Sequence, residues 1–298
     1  MIGIMESCDQ VIVESLRCHA QGVEVRGPGR WSFVVGGDCR RPAEAWLEAD
    51  WLRFRAPLGG GEPRQIDART LQRMLEANAV LEGGVKFALA GQPDQAVLGA
   101  EICPADDPAD LDVRIERVCV GIGQGLAVFA DTSGALPPLD RAPASADIDL
   151  PALCREAEWP FVERGEGQVA VALEVPDVYL SATFRSCGQD RLCVETPLEG
   201  RPHEAGCGRA AVGVLLLAAC GAVRMARATA RTSDNQVQYA WQALTAPVAW
   251  ELRYALAAIS VACRVSAREV NAFVDPRIAG KYLAVRGWCS LLTSDADS

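Results

Sequence analysis

His19 and His203 are the only imidazoles in this chain of 298 residues. Every general-base or nucleophile-activating role that needs a histidine would fall to one of them. Neither stands at a recognisable motif spacing from a serine, cysteine or carboxylate, so both read as structural or surface residues. The 12 cysteines are numerous but follow no pattern. No C-x-x-C occurs, and the nearest pair, Cys187 and Cys193, has five residues between its members. Zinc ribbons and thioredoxin-like pairs need tighter spacing. Cys103, Cys119, Cys220 and Cys263 lie in apolar runs, where a thiol behaves as a small hydrophobe, so reduced and buried cysteines are expected.

Three further patterns invite chemistry and fail on inspection. Gly121-Ile122-Gly123-Gln124-Gly125 resembles a nucleotide-binding glycine run, but the corresponding positions further along the chain are Ala258, Ser260 and Ala262. Smallness is what is required there, and close packing of a helix on a sheet predicts it. Gly280-Lys281-Tyr282 ends like a phosphate loop, yet Asp275 stands where the upstream glycine belongs. Asp106, Asp107, Asp110 and Asp112 precede a helix and suit its macrodipole. The sequence therefore assigns no catalytic residue, no cofactor and no metal ligand.

In composition, 29 Lys+Arg against 39 Asp+Glu leaves a net charge of −10, which makes nucleic acid and anionic membrane poor partners. Half the residues are apolar and 23% charged, the balance of a folded chain. The longest uncharged apolar run, 210–223, has 14 residues, short of the roughly 20 that span a bilayer. No secretory signal is evident at the N-terminus, and a cytoplasmic protein is expected.

The chain repeats itself. Arg26-Gly27-Pro28-Gly29-Arg30 returns as Arg164-Gly165-Glu166-Gly167-Gln168. Leu52-Arg53-Phe54-Arg55-Ala56-Pro57-Leu58 returns as Leu192-Cys193-Val194-Glu195-Thr196-Pro197-Leu198, and Asp9 aligns with Asp149. Two copies of one domain follow: residues 1–130 and 149–265, a linker at 131–148 rich in Pro, Ala, Asp and Ser, and an extension at 266–298 with no counterpart.

Each copy reads as a helix (about 9–20 and 149–158), a strand, a glycine turn and a second strand. A further strand follows (51–56 and 192–196), ended by Pro57 or Pro197. Next comes a helix. In the first copy Leu71, Met74, Leu75 and Asn78 share its inner face; in the second, about 209–221, it is apolar all round and needs cover on both sides, which places it between the copies. A strand pair (84–89 with 95–102, and 222–228 with 236–244) and a last helix (about 111–129 and 248–265) complete the unit. Ser266-Ala267-Arg268-Glu269 predicts a fresh helix start through a capping box, with Pro276 as its breaker. The Ser/Asp-rich end should fray. The seven tryptophans belong mostly to the core, with one or two left as anchors for a bound segment. The fold class is α+β, built as tandem helix–strands–helix–strands–helix domains with antiparallel sheets, arranged as a pseudo-dimer.

The segment Leu52–Leu58, then Leu71, Leu75 and Asn78, Gly84–Leu89 and Val97–Ile102, resembles the class I type III secretion chaperones over most of residues 1–130. The second copy follows the pattern less closely, with Cys220 in the place of Asn78. The resemblance implies a small α/β domain that pairs as a homodimer and binds an extended N-terminal segment of a secreted effector. A fused pair would carry both protomers in one chain, as a monomer with an internal pseudo-two-fold, able to dimerise further.

The expected function is non-enzymatic: holding an extended segment of a protein partner against apolar helix and sheet surface. Val13, Leu16, Trp31 and Phe33 in the first copy, and Leu153, Phe161, Val169 and Val171 in the second, are the candidate contacts. The alternative is a structural or regulatory adaptor of the same fold that docks a folded partner through its second half or tail and has no secretion role. An enzyme would need convergent titratable groups that the sequence does not supply, save for a thiol site at Cys187 or Cys193.

Overall fold

The computed structural model describes residues 2–37, 39–59, 66–91, 94–103, 107–131, 148–165, 168–175, 178–186, 191–198, 206–233 and 236–292. His203, Cys187, Asp106, most of the linker and the last six residues lie outside them. The protein is mixed α+β, with two antiparallel sheets of six strands each. It divides into two compact units, residues 1–64 with 80–137, and residues 65–79 with 138–298.

In the first unit, helix α1 (Ile2–His19) leads to strands β1 (Gln21–Gly27), β2 (Arg30–Val35), β3 (Arg41–Glu48) and β4 (Trp51–Pro57). Strands β5 (Lys86–Ala90) and β6 (Gln95–Ile102) and helix α3 (Pro108–Ala130) follow. The sheet order is β1-β2-β3-β4-β6-β5. Period-two patterning fixes the faces. Trp31, Phe33 and Val35 of β2 and Leu52, Phe54 and Ala56 of β4 are buried, while Arg53 and Arg55 stand on the opposite face of β4, half exposed. Phe33 meets Phe54 edge to face at 6.3 Å. Ile12 and Leu16 of α1 and Ile115, Val118 and Ile122 of α3 complete this core.

The expectation that the glycine run in α3 needs only small residues is corrected: close packing is the cause, but Gly121 and Gly125 need glycine itself. A Cβ on Gly121 would lie 2.3 Å from the Glu82 carbonyl oxygen, and one on Gly125 would lie 2.5 Å from Leu98. At this approach the helix admits no side chain, which accounts for the glycines without a bound nucleotide.

The second unit repeats the sheet. Strands β7 (Phe161–Gly165), β8 (Gln168–Val175), β9 (Val178–Ser186), β10 (Leu192–Leu198), β11 (Ala226–Ser233) and β12 (Gln236–Thr245) stand in the order β11-β12-β10-β9-β8-β7, the first sheet's order with six added to each number. Register agrees residue by residue. Pro57 faces Val97 as Pro197 faces Ala240, and Lys86 faces Gly99 as Arg227 faces Gln242. Helices α4 (Leu150–Glu156), α5 (Cys207–Ala222), α6 (Ala249–Ala272) and α7 (Pro276–Val285) belong to this unit. So does α2 (Ala68–Asn78), although the first copy encodes it.

Helix α2 starts at Asp67, whose carboxylate accepts from the Thr70 amide at 2.7 Å. Its expected inner face, Leu71, Met74, Leu75 and Asn78, is buried throughout. It packs on β11 and α5, and Gly213 of α5 gives it room, since a Cβ there would lie 3.1 Å from Leu71. The apolar circumference of α5 is covered within this unit by α2, α6, α7 and β11.

Several expectations are corrected. Strands β3 and β9 escape the sequence pattern. Pro42 and an Ala/Glu-rich run disguise β3, and its turn into β4 uses Ala49 and Asp50 at φ 48° and 64° in place of glycine. No helix starts at Ser266. Helix α6 runs on to Ala272 because the Ser266 hydroxyl is buried and donates to the Ala262 carbonyl at 2.7 Å, while accepting from the Trp241 indole at 2.9 Å. Pro276 opens the next helix, with Asp275 as its cap accepting from the Arg277 amide at 2.8 Å. Cys103, at the end of β6, is half-buried, and only Trp31 and Trp241 of the seven tryptophans are fully buried. Trp46, Trp51, Trp159 and Trp288 are half-buried and Trp250 is exposed.

Candidate functional site

Each sheet has one covered edge and one open edge. At the covered edge of the second sheet, β11 is buried from Ala226 to Ala230. Both outward backbone groups of Ala228 are taken: its amide donates to the Cys220 sulfur at 3.1 Å, and its carbonyl accepts from Asn78 Nδ2 at 2.9 Å. Asn78 and Cys220 are the residues that the repeat aligns, one on α2 and the other on α5. Further along, Gln72 Nε2 donates to the Thr232 hydroxyl at 2.9 Å, which donates in turn to Glu76 at 2.7 Å. In the first sheet β5 is likewise buried from Lys86 to Leu89, with the Lys86 ammonium 3.0 Å from Glu101.

The opposite edges are open. Strand β1 is exposed at five of its seven residues, and Val25 keeps 60% of its surface. In β7, Val162 keeps 67%, and Glu163 and Arg164 are exposed. Val23 and Phe161 occupy the same place in the two strands, since Gly27 faces Arg30 as Gly165 faces Gln168, and both are half-buried. Register shifts interrupt β1 at both ends and β7 at one. Such irregularity, with charges at Glu24, Arg26 and Glu163, limits indiscriminate strand pairing. Helix α1 flanks β1, and α4 flanks β7.

The end of α1 is tied down by polar contacts. Asp112 Oδ1 accepts from the Ser15 hydroxyl at 2.6 Å and lies 3.0 Å from His19 Nε2. The Ser15 bond foremost, then His19, holds the Asp112 carboxyl below its ordinary range against the opposing effect of partial burial. The trio is not a nucleophilic triad, because the hydroxyl donates to the carboxylate and not to the imidazole. Beside it, a cavity of about 230 Å³ is lined by Cys18, His19, Val34, Gly36 and Arg40. A second of about 570 Å³ is lined by Cys39, Arg40, Arg41, Leu58, Leu126 and Phe129. Burial pushes the Cys119 and Cys263 thiols up to about 12, which keeps them protonated and unreactive. Among the described residues no group of three His, Cys, Asp or Glu could hold a metal ion, and no helix is long and apolar enough to cross a membrane.

The eight residues picked as contacts fall mostly inside. Leu16, Trp31, Phe33, Leu153, Val169 and Val171 are buried, and only Val13 and Phe161 are half exposed. The six buried ones are core of their own units. The open strands β1 and β7 were not singled out by apolar pattern. Their one legible sign is that Val23 and Val25 alternate with Gly, Glu and Arg on a strand that the sheet order leaves at its margin. Comparison with protein-family models, curated proteins and solved structures finds no match to this chain.

Proposed function

We propose that this protein is a non-enzymatic protein-binding module of the class I type III secretion chaperone kind. Its two tandem copies take the parts of two protomers, and it holds an extended segment of a partner, such as the N-terminal stretch of a secreted effector. The observation that carries this reading is the recurrence of one open edge strand, β1 and β7, at the same place in two sheets of the same strand order. An extended chain can add to such an edge by main-chain hydrogen bonds, with side-chain selection supplied by the residues alongside. Val25 and Val162 are the apolar footholds there; Val13 of α1 and Phe161 are half exposed. The six buried candidates act indirectly, by holding the sheets that present these edges. A covered opposite edge supports the same reading, because it leaves one side of each sheet for a partner.

The test is recovery of the partner from the native host with the full chain as bait, followed by hydrogen exchange of the complex. Binding should slow amide exchange in 21–27 and 161–165 by at least tenfold, and the partner should stay cleavable outside the bound segment. Unchanged exchange at both strands, or a partner resistant to protease along its whole length, overturns the proposal.

A further inference from the structure

Two cavities of the first unit adjoin where β2 gives way to β3, and Gly37 and Arg40 line both. The larger, about 570 Å³, falls within the roughly 300–1,000 Å³ of small-molecule sites. The buried Leu58 and Leu126 and the half-buried Phe129 form its apolar wall. Phe129 is backed by Phe87, with 6.4 Å between ring centroids. Arg40 and Arg41 also line it and are exposed. Neither guanidinium makes a hydrogen bond or ion pair with a described residue.

The loop that builds this place is particular to the first copy. Five residues, 36–40, separate β2 from β3, whereas two, 176–177, separate β8 from β9. Both sheets reach the same strand order, so strand pairing does not account for the longer connection. At Gly36, with φ 93°, a Cβ would lie 2.9 Å from Leu126 Cδ1, so glycine is what lets the loop fold against the end of α3. At Gly37 a Cβ would meet nothing within 4 Å, which leaves that position facing open space.

Charge and shape indicate the ligand. No described carboxylate lines either cavity, and Asp131, although it follows Ala130, is not among the lining groups. With Asp38, which lies outside the described residues, the segment 36–41 has two arginines against one acid. In the smaller cavity His19 is already engaged by Asp112 at 3.0 Å, so Arg40 and Arg41 are the cationic groups left for a ligand. A guanidinium fork without a partner, beside an apolar wall, suits a carboxylate on a hydrocarbon body. Helices α1 and α3 both bring their C-terminal ends here, and the partial negative charge of those ends opposes a multiply charged phosphate. We infer that the larger cavity binds a small organic monocarboxylate, its head held by Arg40 and Arg41 and its apolar body laid against Leu58, Leu126 and Phe129. The inference does not depend on strand addition at β1 or β7.

The probes are octanoate and decanoate, titrated calorimetrically into the full chain, with octanol, decanol and inorganic phosphate as comparisons. One or both carboxylates should saturate a single site, at least tenfold more tightly than the alcohol of the same length, and phosphate should not displace them. Arg40→Glu with Arg41→Glu should weaken carboxylate binding at least tenfold and create binding of octylamine or decylamine; that gain cannot come from misfolding. Gly37→Trp should plug the cavities and abolish binding with melting by circular dichroism unchanged, because the position is open. Bound carboxylate should also slow alkylation of the half-buried Cys39 by iodoacetamide at least threefold, while the exposed Cys289 reacts as before. No saturable binding of either carboxylate, equal binding of the alcohol, phosphate taking the site instead, or affinity that survives both the arginine pair and Gly37→Trp would overturn the inference.

Discussion

The covered edge at β11 and the open margin at β1 differ in the polar contacts that tie their neighbouring helices. At β11, α2 is seated by buried Leu71, Met74 and Leu75 and by Asn78, which is wholly desolvated. At β1, α1 also buries Ile12 and Leu16, but its polar tie, Ser15 and His19 on Asp112, ends on a carboxylate with 45% of its side chain exposed. A buried polar contact is costly to lose, because its partner stays behind without water; a wet one is replaced by solvent at small cost. The difference makes the polar tie at β11 costlier to break than the one beside β1.

Three measurements bear on that contrast. The largest effect belongs to Asn78→Ala, which strands the Ala228 carbonyl in the interior. It should lower unfolding free energy in urea by about 1–3 kcal/mol. A loss under about 0.5 kcal/mol would mean that the seam is held by apolar packing alone. Acid comes next. Asp112 has a folded-state pKa below the unfolded one, so its contribution is present above the unfolded value near 3.8 and is lost as pH falls through the folded value. Solvent screening at this half-exposed site limits it to below about 1 kcal/mol. Hydrogen exchange between pH 6 and pH 3, corrected for intrinsic rates, should therefore quicken in α1 before α2. Equal response of the two helices would erase the contrast. Smallest is Val25→Pro in β1, expected to move stability by no more than about 0.5 kcal/mol while abolishing strand addition there.

Much of the fold is legible because burial writes periodicity. The inner face of α2, the all-apolar α5 and the small residues of α3 all follow from spacing. Strand β3 does not, because Pro42 and the Ala/Glu run carry little strand propensity, and the Ala49–Asp50 turn lacks the expected glycine. Nor does the length of α6, since a serine that caps one helix can bond back within another, as Ser266 does. Pattern also says that α2 has an inner face without saying which unit supplies the partner. For the site the lesson runs the other way. Trp31, Phe33 and Val171 were chosen for being apolar, and an apolar position on an alternating strand reports the core. What a partner could touch, Val25 and Val162, is apolar yet exposed, and exposure of that kind is set by the sheet order, which leaves β1 and β7 at the margins.

The placement of α2 has a consequence for the order of assembly. The chain enters the second unit at Gln65, leaves it after Ala79 and returns only at Pro138. On the ribosome, then, Leu71, Met74 and Leu75 emerge well ahead of the strands and helices that will enclose them. The nascent molecule must carry that oily helix unsheltered until α5 and β11, which end at Ser233, have been made. A nick within 132–147 in the mature protein would leave α2 stitched where it is, so the halves of the sequence should not drift apart when cut.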